Sequence, residues 1–216
     1  MQTTLLLAPA LLVAGLASAV GFSETETNVP VPVPAAAGDY AIDAGHSFVM
    51  FKVGHLGMGQ AYGQFRTVAG DFSWNPEKGA EMKVKLTIDA ASVDTNHEGR
   101  DKHLRGADFF SVKEYPEITF TSTSAQGLKR IGLGGDKSKV GGPIQLKGDL
   151  TLHGVTKEIT VKVEPVGAGT DPWGKERAGF EGTFTIDRMD YGIDYMPDGL
   201  GKEVTVMFAF EGTKKE

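Results

Sequence analysis

The chain has 216 residues, about two-fifths of them apolar, which is enough to bury one sizeable core. A formal charge of −6 and the lack of any run of Lys and Arg argue against a surface built for nucleic acid or anionic membrane. With no cysteine, disulfides, thiolate metal ligands and thiol nucleophiles are excluded together.

Residues 5–16 form an apolar run too short for a comfortable transmembrane helix, and Ala17-Ser18-Ala19 follows in the small-x-small pattern of a secretory cleavage site. The pattern predicts a signal peptide over 1–19 and a mature protein in the periplasm or secreted. The region before the run carries no Lys or Arg, so an uncleaved anchor is the competing reading. Val29-Pro30-Val31-Pro32-Val33-Pro34 alternates residues without amide donors, which favours an extended tether; 20–38 is read as a Pro/Ala-rich linker and 39–213 as the folded domain.

The body is a succession of short alternating segments. Residues 46–53 carry Val49, Phe51 and Val53 on one parity and Phe48 and Met50 on the other, so both faces are expected to touch protein. A second strand over 64–74 is interrupted at Gly70, where a bulge or bend is expected, and Asn75-Pro76 turns the chain. Met82, Val84, Leu86 and Ile88 alternate with Lys83, Lys85, Thr87 and Asp89 in the most regular strand. Thr95 and Glu98 then have capping-box spacing, predicting one short helix near 96–105. Its Leu104, with Phe109 and Phe110, is expected to cover the outer side of Phe48 and Met50.

Ile118 and Phe120 begin another strand, a glycine-dense loop spans 132–142, and strands resume at 144–152 and 155–164 around the turn His153-Gly154, where Gly154 is free to take a positive φ. Strands over 179–186 and 203–210 complete a set of eight. Eight is the usual number for a small closed barrel, either packed or just wide enough for one ligand.

Signals for chemistry are sparse. No Gly-x-Ser-x-Gly elbow, dinucleotide fingerprint or phosphate loop occurs. His97-Glu98-Gly99-Arg100-Asp101 approaches the zinc-protease pattern His-Glu-x-x-His, but Asp101 stands in the second ligand position and His103 is off that helix face. A plain surface His–Asp contact is the simpler account. His46, His55 and His153 are read as hydrogen-bonding groups of turns and strand ends, and Asp187-Arg188 with Asp190 as a charged tie between a loop and the barrel.

Several stretches taken in order carry a more specific signal: Asp43-Ala44-Gly45-His46-Ser47, Phe51-Lys52-Val53-Gly54-His55-Leu56, Gly63-Gln64-Phe65, Ser92-Val93-Asp94-Thr95, Arg100-Asp101-Lys102-His103-Leu104-Arg105, Asp108-Phe109-Phe110, Tyr115-Pro116-x-Ile118-Thr119-Phe120, residues 148–157 (GDLTLHGVTK), Ile186-Asp187-Arg188 and Tyr191-Gly192-Ile193. Together they closely resemble the YceI family of bacterial polyisoprenoid-binding proteins, over about 39–211. The resemblance implies an all-β, lipocalin-like, eight-stranded antiparallel barrel, usually exported to the periplasm, whose apolar pore holds a long isoprenoid or similar lipid without a reaction. The pore, as against a filled core, rests on this resemblance alone.

Strand parity then nominates Val49, Phe51, Phe65, Val84, Leu86, Phe120, Leu146, Leu150, Phe184, Val206 and Phe208 as ligand-contacting lining. Lys52, His55, Arg66 or Arg100 are the candidates to reach a polar head at a mouth. No cofactor, metal or catalytic residue is assigned. The expected partner is the lipid itself, with no nucleic acid, membrane contact only transient for cargo exchange, and a homodimer left open. Two rivals remain at this point: a solid-core extracellular interaction module, and a metal- or acid/base-dependent enzyme using His97, Asp101 or His103.

Overall fold

Alternation sets the walls of the barrel. In the computed structural model, which describes residues 37–76, 78–127 and 142–216, Ile144, Leu146, Leu150 and Leu152 are buried while Gln145, Lys147 and Asp149 between them are exposed. Val84 and Leu86 repeat this against Lys83 and Lys85. The cleavage pattern, the proline-rich tether and nearly all of the glycine-dense stretch lie outside the described residues.

Among the described residues eleven strands occur in chain order: β1 (Gly38–Ile42), β2 (Phe48–His55), β3 (Gly59–Phe65), β4 (Val68–Trp74), β5 (Lys83–Asp89), β6 (Val93–Asp94), β7 (Glu117–Gly127), β8 (Ile144–Leu152), β9 (Val155–Thr170), β10 (Glu176–Asp187) and β11 (Leu200–Lys214). They make eight antiparallel staves, because β1–β2, β3–β4 and β5–β6 are each one stave broken by a short jog. Each stave pairs with the next in sequence, and β11 closes the ring against β2 through Val204↔Val53 to Ala209↔Phe48 and against β1 through Tyr40↔Lys214 to Ile42↔Gly212. The result is a closed eight-stranded antiparallel barrel with, among the described residues, one α-helix, α1 (Glu98–Leu104).

Polar groups carry the ladder across the jogs, where the main chain turns away. At the first, Asp43 N donates to the Glu211 carbonyl (2.8 Å), while the Ser47 hydroxyl accepts from Glu211 N (3.2 Å). At the others, Ser92 Oγ accepts from Thr67 N (3.1 Å) and Arg105 donates to the carbonyls of Ala91 and Val93 (2.7 and 2.9 Å).

Three local expectations change. Gly70 causes no register shift; it pairs with Leu86 at φ +147°, where an added Cβ would lie 2.1 Å from the Lys85 carbonyl, so the glycine permits a close approach rather than a bulge. The helix cap is His97, whose Nδ1 accepts from Arg100 N (3.1 Å), because the Thr95 hydroxyl is spent on the buried Asp101 carboxylate. Leu104, Phe109 and Phe110 turn inward to the barrel mouth, Phe110 packing edgewise on Phe65 at 5.4 Å, and leave Phe48 and Met50 51% and 40% exposed on the outside. The β8–β9 turn is as expected, with His153 at φ +52° and Gly154 at +75°.

A cluster of ions locks the seam. Arg177 on β10 donates through Nη1 to Asp43 Oδ2 (2.7 Å) and Glu211 Oε1 (2.6 Å), and through Nε to Asp171 Oδ2 (2.7 Å). Arg177, then His46, hold the Asp43 carboxyl down at about 2, and Asp171 is lowered first by the same guanidinium. A carboxyl whose pKa falls on folding stabilises fully above its unfolded value, about 4, and loses that contribution as pH drops through its folded value. Replacing Arg177 by Met is expected to lower stability at neutral pH and to flatten the further loss between about pH 4 and pH 2. Urea denaturation at each pH measures both effects, and an unaltered pH profile would show the cluster to have no energetic weight.

Candidate functional site

Inside the barrel lies a cavity of about 740 Å³ with an apolar wall and a blind end. Its floor is aromatic. Tyr40 stacks on Phe72 (5.0 Å between ring centroids), and Phe72 and Trp74 each meet Phe180 edge-on (5.2 and 5.1 Å), with Ile144, Ala168 and Ala178 buried among them. Burial raises the Tyr40 hydroxyl to about 12, so the floor stays uncharged over the physiological range.

Every one of the eleven residues nominated by parity lies on the cavity wall: Val49, Phe51, Phe65, Val84, Leu86, Phe120, Leu146, Leu150, Phe184, Val206 and Phe208. The rings need not project into the bore, because several lie flat across a glycine of a neighbouring stave. A Cβ on Gly63 would meet the Phe51 ring at 2.3 Å, on Gly182 the Phe208 ring at 2.4 Å, and on Gly148 the Phe120 ring at 2.6 Å. Cross-strand aromatic–glycine pairs of this kind stabilise a sheet where the glycine alone would weaken it. Here they also keep a phenylalanine-rich wall open.

Residues 40–212 match the YceI-like domain family. The chain belongs to the YceI family. It is 44% identical to a UPF0312 protein of Vibrio parahaemolyticus over 183 residues, covering 84% of this chain and 90% of that one. It is 41% identical to Protein YceI of Escherichia coli O157:H7 over 184 residues, with the same coverage. Among solved structures, the Campylobacter jejuni YCEI protein aligns with a TM-score of 0.60 at 29% identity, covering 76% of this chain and 90% of that one. A polyisoprenoid binding domain from Saccharophagus degradans aligns with a TM-score of 0.59 at 19% identity, covering 82% and 98%, and shares the fold.

The mouth of this YceI barrel is built from the β2–β3 hairpin, α1 and the segment between β10 and β11. Its charged groups are mostly committed to holding those pieces. Arg188, 4% exposed, donates to the carbonyls of Gly201, Ile193, Tyr195 and Leu200 at 2.6–3.2 Å, which is the tie expected of it. Arg100 borders the cavity but donates to Thr95 Oγ1 and Thr95 O (2.7 and 2.6 Å). His55 also borders it, whereas Lys52 and Arg66 do not, and Arg66 is ion-paired with Asp94.

The metal candidates disperse. His97 is the helix cap, Asp101 accepts from Thr95 N (2.9 Å) beneath the helix, and His103 Nε2 is paired with Asp108 Oδ2 (2.8 Å). His153 Nδ1 sits 3.0 Å from the Tyr191 carbonyl. Asp43, His46 and Glu211 do converge, but the Arg177 guanidinium already lies between the two carboxylates. Sequence reading missed the mouth residues Tyr195 and Met196, which sit in no strand, and the inward Ile42, Val53 and Ile193; for Val53 the parity signal was present.

Gly63 gives the sharpest test of the open wall, since its neighbours there are side-chain atoms of Phe51 and Thr95 rather than backbone. Gly63→Ala is expected to push the Phe51 ring into the bore. Binding of an apolar reporter dye should weaken about tenfold if the ring displaces roughly two methylene positions. A titration that matches the parent protein would show that Phe51 swings elsewhere.

Proposed function

We propose that this protein is an exported carrier that holds a long isoprenoid or related lipid chain in the barrel interior, with the chain end against the aromatic floor and any polar head at the mouth. The observation that carries this reading is the blind, apolar cavity of about 740 Å³, which falls within the usual range for small-molecule sites. The polyisoprenoid binding domain of Saccharophagus degradans, alike in fold, supports the same ligand class. The apolar run followed by Ala17-Ser18-Ala19 supports export.

Affinity follows from dehydration. Each buried methylene contributes about 0.8 kcal/mol, so one five-carbon unit contributes roughly 2 to 4 kcal/mol. A few units reach micromolar binding, about −8 kcal/mol, after the cost of association. Among the described residues the wall includes no carboxylate, and its two arginines are already bonded, Arg100 to Thr95 and Arg188 to four main-chain carbonyls, so selection works through bore and length rather than through a charged clamp. A solid-core interaction module would need this space filled by side chains, and the cavity counts against it.

Organic extraction of the purified protein followed by mass spectrometry is expected to recover a long-chain lipid near one per barrel. Val206→Trp, which fills the middle of the wall, should remove it and weaken farnesol binding by about tenfold or more. Repeated recovery of no lipid, together with no farnesol binding, would overturn the carrier reading.

A further inference from the structure

Among the described residues, five of the nine large apolar side chains that the fold leaves exposed gather at the mouth of the barrel; Phe48 and Met50 lie on the outer face of β2, Val166 on β9 and Trp173 in the turn between β9 and β10. Met58 is 89% exposed and Leu56 48% at the tip of the β2–β3 hairpin; Tyr62 follows on β3, and Tyr195 and Met196 stand on the segment before β11. Tyr62, Tyr195 and Met196 belong to the cavity wall as well, so the outer apolar surface runs without a break into the bore.

This rim is held in shape. The Leu56 amide donates to the Gly199 carbonyl (2.7 Å), which fastens the hairpin to the segment before β11. The Tyr195 carbonyl accepts from buried Arg188 (2.9 Å), and its ring packs edgewise on His103 and Phe109 at 5.1 and 5.2 Å, fastening that segment to the helix side. Leu56 and Met196 both adopt left-handed backbone, φ +53° and +54°, a conformation that disfavours large side chains and is kept where surrounding structure imposes it. An apolar residue that is both strained and exposed gains nothing in water. It gains when an apolar phase meets it.

We propose that this rim docks on the surface of a lipid bilayer, with Leu56, Met58 and Met196 entering the acyl boundary, so that cargo passes between bilayer and barrel without crossing water. The inference rests on the carrier reading for its purpose but not for its test. The occupant follows from the patch itself: it is apolar, continuous with a cavity that opens onto it, and flanked by Asp194 and Asp198 as well as Lys202. Docking is therefore driven by apolar burial and needs no anionic lipid.

Both native tryptophans, buried Trp74 and exposed Trp173, lie at the floor end of the barrel, so the unaltered chain reports that end. Met58→Trp adds a reporter at the mouth. With vesicles of phosphatidylcholine brominated on its acyl chains, the emission added by Met58→Trp should be quenched while the native emission persists. Met58→Asp, at a position too exposed to disturb folding, should bind farnesol from solution as the parent does but take it from vesicles about tenfold more slowly. Quenching confined to the mouth supports docking even if farnesol does not bind, in which case the carrier reading alone falls. An unquenched mouth, or equal quenching of both ends, overturns docking even if farnesol binds tightly, and the carrier reading then stands without it.

Discussion

The closed hydrogen-bond ladder is the constraint on which the rest of the structure depends. A cavity of about 740 Å³ dug into an ordinary packed core would cost on the order of 10 to 20 kcal/mol, as much as the whole stability of a domain. The barrel tolerates one because its wall is held by hydrogen bonds between staves, with aromatic contacts across the axis closing the floor. Every stave is bonded to two neighbours, and β11 completes the ring against both β1 and β2. Closure leaves no sheet edge, so backbone polar groups are satisfied without the interior being filled. The aromatic floor and the rings laid across Gly63, Gly148 and Gly182 then decide where space remains.

Parity was readable because it is a local property with a period of two, and a one-residue slip would have turned every inward side chain outward. That is why Val84, Leu86, Leu146 and Leu150 could be placed on the wall from spacing alone. β1 was not readable: Gly38-Asp39-Tyr40-Ala41-Ile42 is short, begins with glycine, and is a strand only because β4 and β11 flank it. The early part of β3, Gly59-Gln60-Ala61-Tyr62-Gly63, has too few apolar residues to show alternation, and its glycine is there to receive the Phe51 ring. Leu104, Phe109 and Phe110 misled for the opposite reason. Their apolar character was plain, but whether they cover the outside of β2 or close over its inner side depends on the path of the chain after α1, which no periodicity encodes.

The same limit applies to the charged groups. In sequence, His97, Asp101 and His103 have the composition of a metal site, and Arg100 is one of the candidates to reach a polar head. In the structure each is spent on architecture: one caps the helix, one anchors the Thr95 loop, one pairs with Asp108, and Arg100 folds back on Thr95. Arg177 and Arg188 do likewise at the seam and beneath the mouth. A barrel with a cavity along its axis fixes its jogs and its mouth by polar contacts in addition to the apolar packing at its two ends.

A blind tunnel also imposes an order on anything that enters it. With Tyr40, Phe72, Trp74 and Phe180 closing the floor, a chain that fills the bore goes in end first and leaves its other end at the mouth. The β11 wall residues from Val204 to Phe210 span about 20 Å of strand, or about 15 Å along the axis at a tilt of about 40°. The tunnel therefore measures a short apolar stretch, and whatever extends beyond it meets the ring of Leu56, Tyr62, Tyr195 and Met196. On the proposed carrier reading, bore would select the chain, the floor would set how much of it is dehydrated, and the rim would receive the remainder, so discrimination among lipids would be a matter of shape and length with the head group left outside the wall.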